Sequence, residues 1–275
     1  MFRFAFSSRA FRGGSILRAI DAIAFAGYEG MELCCDQPHA YPLRMTYREV
    51  ARIRRRLEMA GLEISHLDAS SLQAVGGNQW SPSWIEAEKM AREVRVLHTL
   101  GCIRLASLFE APYVTIGPGG PGALGGMEVF ADGLLLALRH AEECGVTLLV
   151  EPAPGGLIET TDDFEELSEM IDSPFLGASL NVGNLFCAGE DPADAIRKLE
   201  ESLGHICLSD ASPSRAPLPL LPGEGAVDFA AVAEAAEEIG YDLLFTVLAH
   251  QDGYPPDELA ARALERLNQL GVHTY

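Results

Sequence analysis

At 275 residues and 48% hydrophobic content the chain is long enough to bury a full α/β core, and 22% charged residues is ordinary for a soluble domain. A formal net charge of −20 argues against nucleic acid or an anionic membrane as partner, since both require basic surface. The N-terminal MFRFAFSSRAFRGG lacks the apolar run of a secretory leader, no stretch is long enough to span a bilayer, and the six cysteines form no CxxC pair, so a reduced, cytoplasmic setting is expected.

The first strand is expected over Phe2–Ser7, followed by a helix over Ser15–Ala26 with Ile16, Ala19, Ile20 and Ile23 on one face. A second strand, Gly30–Cys34, precedes a helix over Tyr47–Ala60 that Gly61 ends. Strand three spans Leu62–Leu67. A loop with Gly76, Gly77, Trp80 and Pro82 leads to a long helix from Ser83 to Phe109. Strand four, Tyr113–Ile116, runs into GPGGPGALGG, which lacks the Lys-Ser/Thr of a phosphate-binding loop and reads as a rim loop. Helix Met127–Cys144 and strand Val146–Val150 follow, the strand closing on Glu151. Then come helix Thr161–Ile171, strand Leu176–Leu180 ahead of Asn181, helix Pro192–Leu203 and strand His205–Ser209. Helix Phe229–Ile239, strand Leu243–Leu248 and helix Asp257–Leu270 complete the chain.

Eight strand–helix pairs in strict alternation imply parallel strands joined by helical crossovers, and eight is the number that closes a barrel. The expected fold is therefore α/β, a single (β/α)8 TIM barrel over residues 1–275. A doubly wound open sheet is the second choice, disfavoured because no GxGxxG follows the first strand.

In such a barrel chemistry sits at the C-terminal ends of the strands. Strand two offers Glu32, Cys34 and Asp36, with His39 just beyond; strand three, His66 and Asp68; strand five, Glu151. Strand six offers Asn181 and Asn184; strand seven, Cys207, Ser209 and Asp210; strand eight, Thr246, Leu248 and His250. An acid closing an apolar run is costly unless used or paired, which favours Glu151 as a functional group over a carboxylate tied to loop N–H groups. His66 and His250 are the acid/base candidates beside it, because imidazole titrates near neutrality. The substrate-binding candidates are Glu32, His39, Asn181, Cys207, Asp210 and Arg215. Most have a plainer alternative: a salt bridge for Glu32, loop ordering for His39, a turn cap for Asn181, a small buried hydrophobe for Cys207, an exposed rim arginine for Arg215.

The segments GYEGMELCCDQPHAYP, GLEISHLDAS, VTLLVEPAP, HICLSDASPSR, LLPGEGAVDF and GYDLLFTVLAH resemble the sugar-phosphate isomerase/epimerase superfamily, the xylose-isomerase-like barrels, over nearly the whole chain. The resemblance implies one divalent metal held by Glu, Asp, His and Glu from strands five to eight. Those positions fall on Glu151, Asn181, Cys207 and Leu248, and Pro217 and Pro219 stand where the family often has imidazoles. A hard divalent ion wants several anionic oxygens, and zinc usually a third protein ligand, which His66, His205 or His250 would have to supply. No cofactor is therefore expected. The leading expectation is a metal-independent isomerase-like enzyme moving protons on a small metabolite by isomerisation, epimerisation, dehydration or cyclisation. A metal-dependent sugar or sugar-phosphate isomerase and a catalytically silent, metabolite-binding barrel are the alternatives. The resemblance also implies a homodimer or homotetramer.

Overall fold

The computed structural model describes residues 2–77, 80–120, 126–214, 218–249 and 254–273. Eight strands, β1 (Arg3–Ser7), β2 (Gly30–Cys34), β3 (Glu63–Asp68), β4 (Tyr113–Ile116), β5 (Thr147–Val150), β6 (Leu176–Asn181), β7 (Leu203–Leu208) and β8 (Leu244–Val247), pair in chain order, all parallel. β8 returns to β1 with Ala5 opposite Thr246, closing the barrel. Around it lie α1 (Ile16–Phe25), α2 (Tyr47–Ala60), α3 (Lys89–Phe109), α4 (Gly126–Cys144), α5 (Thr161–Ile171), α6 (Val182–Ala188), α7 (Pro192–Lys198), α8 (Phe229–Glu238) and α9 (Pro256–Gln269). The expected (β/α)8 barrel is the fold.

Side chains alternate along each strand, and here the two faces differ in chemistry. Phe4 and Phe6, Met31 and Leu33, Leu148 and Val150, Leu180, Ile206, Phe245 and Val247 belong to the apolar layer between strands and helices. That layer carries most of the burial that stabilises the fold. The intervening positions, Ser7, Glu32, His66, Ser179, His205 and Thr246, are all less than 5% exposed yet polar. Barrel interiors are usually filled by branched aliphatic residues, so this polar axis calls for a use.

Two expected helices are shorter than their patterns. The third begins at Lys89 rather than Ser83. Ser83 Oγ accepts from Ile85 N, and Ser83 N donates to Glu86 Oε1, local bonds that compete with a helix, while Trp84 and Ile85 are buried in the core. The helix read as Pro192–Leu203 ends at Lys198 and gives way to a 3-10 turn over Glu200–Ser202, so β7 starts at Leu203. The short α6 has no counterpart in the sequence pattern, since seven residues carry too little periodicity.

Candidate active site

The mouth of the barrel is organised by Arg9. β1 ends at Ser7, whose side chain accepts from Arg9 N and opens a 3-10 turn over Ser8–Phe11. His39, nearly buried, clasps that turn from the β2 side, with Nδ1 3.3 Å from Ser8 Oγ and Nε2 3.3 Å from Phe11 O. The turn directs Arg9 across the mouth. Its Nε donates to Asp68 Oδ2 at 2.6 Å and lies 3.7 Å from Glu32 Oε1, and its Nη2 reaches Ser70 Oγ. Ser7 Oγ donates to Glu32 Oε1 at 2.6 Å. Burial opposes the guanidinium charge, but Asp68 and Glu32 more than offset it and hold Arg9 well above its ordinary pKa.

One cation serving several carboxyls sets their protonation apart. Burial pushes Asp68 up, but contact with Arg9 outweighs it and holds the group at about 2. Glu32 is raised to about 7, by burial first and then by the charge of Asp68, with Arg9 and Ser7 pulling the other way. Glu151 is raised to about 8. Burial is again the main cause; Arg9 lowers it, Asp68 and Glu32 raise it, and a hydrogen bond with Asn181 lowers it. Asn184 Nδ2 also donates to Glu151 Oε1 at 3.0 Å. Glu151 keeps partial contact with the cavity, so water tempers this shift in the free protein, and a substrate that displaces the water strengthens it.

The cavity in front of Glu151 has a volume of about 100 Å³ and is bounded by Arg9, Asn181, Asn184, Leu218, Pro219 and Leu248. Asn181 ends β6, and its Oδ1 accepts from Gly183 N (3.1 Å), Asn184 N (3.2 Å) and Ser209 Oγ (2.6 Å). It is thus the N-cap of α6, and it sets the orientation from which Asn184 reaches Glu151. Asp210 borders the same cavity, but its carboxylate is taken up by the N–H groups of Ala211, Gly223, Gly225 and Val227. It shapes the PGEG loop, where a Cβ on Gly225 would fall 2.1 Å from Ala211 O.

Cys207 is buried beside Glu151, and burial first, then that carboxyl, raise its thiol well above the ordinary value; it is kept protonated. His66 lies deeper, Nε2 3.6 Å from Glu32 Oε2. His250 and Arg215 lie outside the described residues. Arg9, Ser70 and the role of Asp68 were missed from the sequence: Arg9 sits on a turn with no periodicity and meets partners two strands away.

The family's metal positions can be tested against these contacts. Glu151 is an available oxygen donor, but the Asn181 oxygen already accepts three hydrogen bonds, Cys207 is held as a thiol, and Leu248 has no donor. Both ring nitrogens of His205 are occupied, Nδ1 by Ser179 Oγ and Nε2 by Thr246 Oγ1, each at 2.9 Å. Among the described residues no three His, Cys, Asp or Glu side chains are grouped to hold a metal ion. Among the described residues the donor set does not fit a divalent ion. A fixed cation, Arg9, already stands among the carboxyls.

Comparison with known proteins places the barrel. The profile described as xylose isomerase-like TIM barrel matches residues 20–270. An inosose dehydratase from Lacticaseibacillus casei is 27% identical over 159 residues, covering 51% of this chain and 53% of that protein, so the chain aligns with about half of that relative's length. Among solved structures, a D-tagatose 3-epimerase-like protein superposes with a TM-score of 0.81 at 20% identity, covering 98% of this chain and 97% of the other. The IOLI protein, solved with a bound zinc atom, superposes with a TM-score of 0.79 at 14% identity, covering 98% of each chain.

Proposed function

The chain belongs to the xylose isomerase-like TIM-barrel family, and we propose that it is an acid–base enzyme that moves a proton next to the carbonyl of a small hydroxylated ketone. The relatives' activities, dehydration and epimerisation, share that step. The observation that carries the reading is the pair Glu32 and Glu151 beside one guanidinium, both raised by burial toward neutrality: two carboxyls so placed are suited to the roles of base and acid.

In this mechanism the Glu32 carboxylate takes the proton from the carbon beside the carbonyl. The C–H electron pair moves into the C–C bond and the carbonyl pair onto oxygen. The developing oxyanion is met by the Arg9 guanidinium and the Asn184 amide, donors fixed in advance by Asp68, Ser70 and the α6 cap. Glu151, protonated at neutral pH, then gives its proton either to a neighbouring hydroxyl, which leaves as water, or back to carbon on the other face. The first outcome is a dehydration, the second an epimerisation. The apolar Leu218, Pro219 and Leu248 leave the outer wall with few polar partners, which favours a substrate less hydroxylated on that side.

The test is to incubate the protein in D₂O with a panel of keto-polyols and hydroxylated cyclic ketones and follow loss of the α-proton signal by NMR. Deuterium enters one class of ketone with the wild type, and Glu32→Gln, folded as judged by circular dichroism, stops it. An active Glu32→Gln variant overturns the assignment. The zinc held by the IOLI protein favours a second reading, a metal-dependent isomerase, and the same experiment repeated after chelation and metal analysis separates the two. Chelation-resistant exchange supports the guanidinium, and metal-restored exchange supports the ion.

A further inference from the structure

The polar axis of the barrel runs from the site toward the opposite face. Glu32 Oε2 is 3.6 Å from His66 Nε2; His66 Nδ1 is 3.1 Å from Ser65 Oγ; Ser65 Oγ is 3.0 Å from Thr246 Oγ1, which in turn meets His205. The His66 and His205 rings lie side by side, centroids 4.1 Å apart. At its lower end this chain of groups opens into a second cavity, of about 350 Å³, at the opposite face of the barrel. Ser65 and His205 line it together with residues that begin strands, Glu63, Tyr113 and Leu244, and with Asp242.

Two β-bulges build this path. Between β2 and β3 the register steps from Met31↔Ile64 to Glu32↔His66, skipping Ser65. Between β6 and β7 it steps from Ala178↔Leu203 to Ser179↔His205, skipping Gly204. A bulge defeats simple alternation and re-aims a side chain, which is why the consecutive residues Ser65 and His66 both join the interior network. The skipped Gly204 gives Leu149 room: a Cβ there would come within 2.5 Å of Leu149 Cδ2.

We infer that Ser65 and His66 form a proton relay linking Glu32, at the mouth, to solvent in the cavity at the N-terminal face, with Thr246 and His205 orienting the Ser65 hydroxyl. The relay rests on the acid–base reading for its purpose: a substrate filling the mouth shuts Glu32 off from water there, and the opposite face becomes its source and sink of protons. For each proton delivered, the Glu32 carboxylate takes the proton on His66 Nε2. His66 Nδ1 takes the hydroxyl proton of Ser65, and Ser65 Oγ takes a proton from a hydronium in the lower cavity, leaving water. His66 changes tautomer and no net charge stays on it; the reverse sequence discharges a proton. The 3.6 Å step is longer than a hydrogen bond and closes with a shift of a few tenths of an ångström in either side chain. Burial keeps His66 neutral, at about 4, as a relay of this kind needs. A polar network in a barrel core is demanding unless its members are satisfied, and from His66 to His205 each step of this one is within hydrogen-bond distance.

The experiment uses the full chain labelled with ¹⁵N-histidine, without substrate and in a Glu32→Gln background that closes the route through the mouth, and measures exchange of the His66 ring N–H with water by NMR. Ser65→Ala slows that exchange by about tenfold or more, toward the rate set by transient opening of the barrel, while Ser65→Thr, which keeps the hydroxyl, retains it. Where Ser65→Ala fails to fold, Ser65→Cys, a weak donor of similar size, is read in the same way. Exchange as fast in the folded hydroxyl-less variant as in its Glu32→Gln parent overturns the relay. Because no substrate is present, the relay can stand while the proposed reaction falls. Slowed exchange with no deuterium entering any ketone keeps the relay and removes the reaction; unchanged exchange with deuterium entering a ketone keeps the reaction and removes the relay.

Discussion

Glu151 and Glu32 differ from ordinary carboxylates in one direction and Asp68 in the other, and the signs lead to two measurable pH dependences. In the proposed reaction Glu32 must be ionised and Glu151 protonated, so activity rises through about 7 and falls through about 8, a narrow optimum. Stability follows a different course. The folded-state values of Glu32 and Glu151 lie above the ordinary 4.5, so between 4.5 and about 7–8 these two groups bind more protons in the folded protein than in the unfolded chain. These two groups therefore withdraw stability as pH rises through that window, while His66, His205 and His39, held by burial below their ordinary 6.5, add stability as pH rises toward 6.5. Asp68, held below its ordinary 3.8, contributes stability above that pH and loses it as pH drops through about 2. Surface repulsion in an acidic protein adds to the alkaline fall, so the decisive comparison is with Glu151→Gln, which cannot ionise. Its melting temperature declines less than that of the wild type from mildly acidic to mildly alkaline pH, and the two curves separate as pH rises. Parallel curves would show that Glu151 ionises freely in the fold and is no acid at neutral pH.

At the scale of elements, α6 shows how a short helix without a pattern can matter. It is seven residues long, below the length at which propensity sustains a helix, and it depends on Asn181, whose Oδ1 accepts from Gly183 N and Asn184 N. Asn181→Ala removes the cap and lowers stability by about 0.5–2 kcal/mol. It also releases Asn184 from its bond to Glu151. The check is denaturant unfolding alongside the deuterium-exchange assay, in which Asn181→Ala slows exchange while Asn181→Asp, a cap of similar shape, keeps α6 and restores most of the stability. A variant as stable as the wild type shows that α6 holds without its cap. The same element marks how far the sequence can be read. The eight strands are legible because each is a short apolar run between turn signals, and Glu151 and Asn181 because each closes such a run. The role of Arg9 is not, since its partner Asp68 is 59 residues away and is brought to it only by strand pairing. Nor are the bulges at Ser65 and Gly204, because a one-residue register step leaves no mark in composition. The plainer alternatives for Glu32 and Asn181, a salt bridge and a turn cap, are both present, and each serves the site by fixing a neighbour.

Over the whole molecule charge is distributed unevenly. Residues 111–275 hold 28 of the 40 acidic residues but only 6 of the 20 basic ones, so the net −20 arises entirely in this part of the chain. Around the barrel the acidic excess forms a wall on α4, α5 and α8, while α2 is rich in arginine. Some of the acidic charge is paired, Lys198 with Asp162 and Glu165, and Arg197 with Glu238. These pairs are substantially exposed, and such pairs contribute little. Asp163 is absorbed in the capping box of α5, leaving much of the wall unneutralised. Like charges within a screening length of one another oppose the compact state more than the expanded one. Raising sodium chloride from low to physiological concentration therefore stabilises the fold, by roughly 1 kcal/mol or about 2–4 °C in melting temperature for a domain of this size. Differential scanning calorimetry at fixed pH measures it. A melting temperature that falls with salt would mean that the surface ion pairs outweigh the repulsion, and that the acidic wall is balanced by arrangement rather than merely endured.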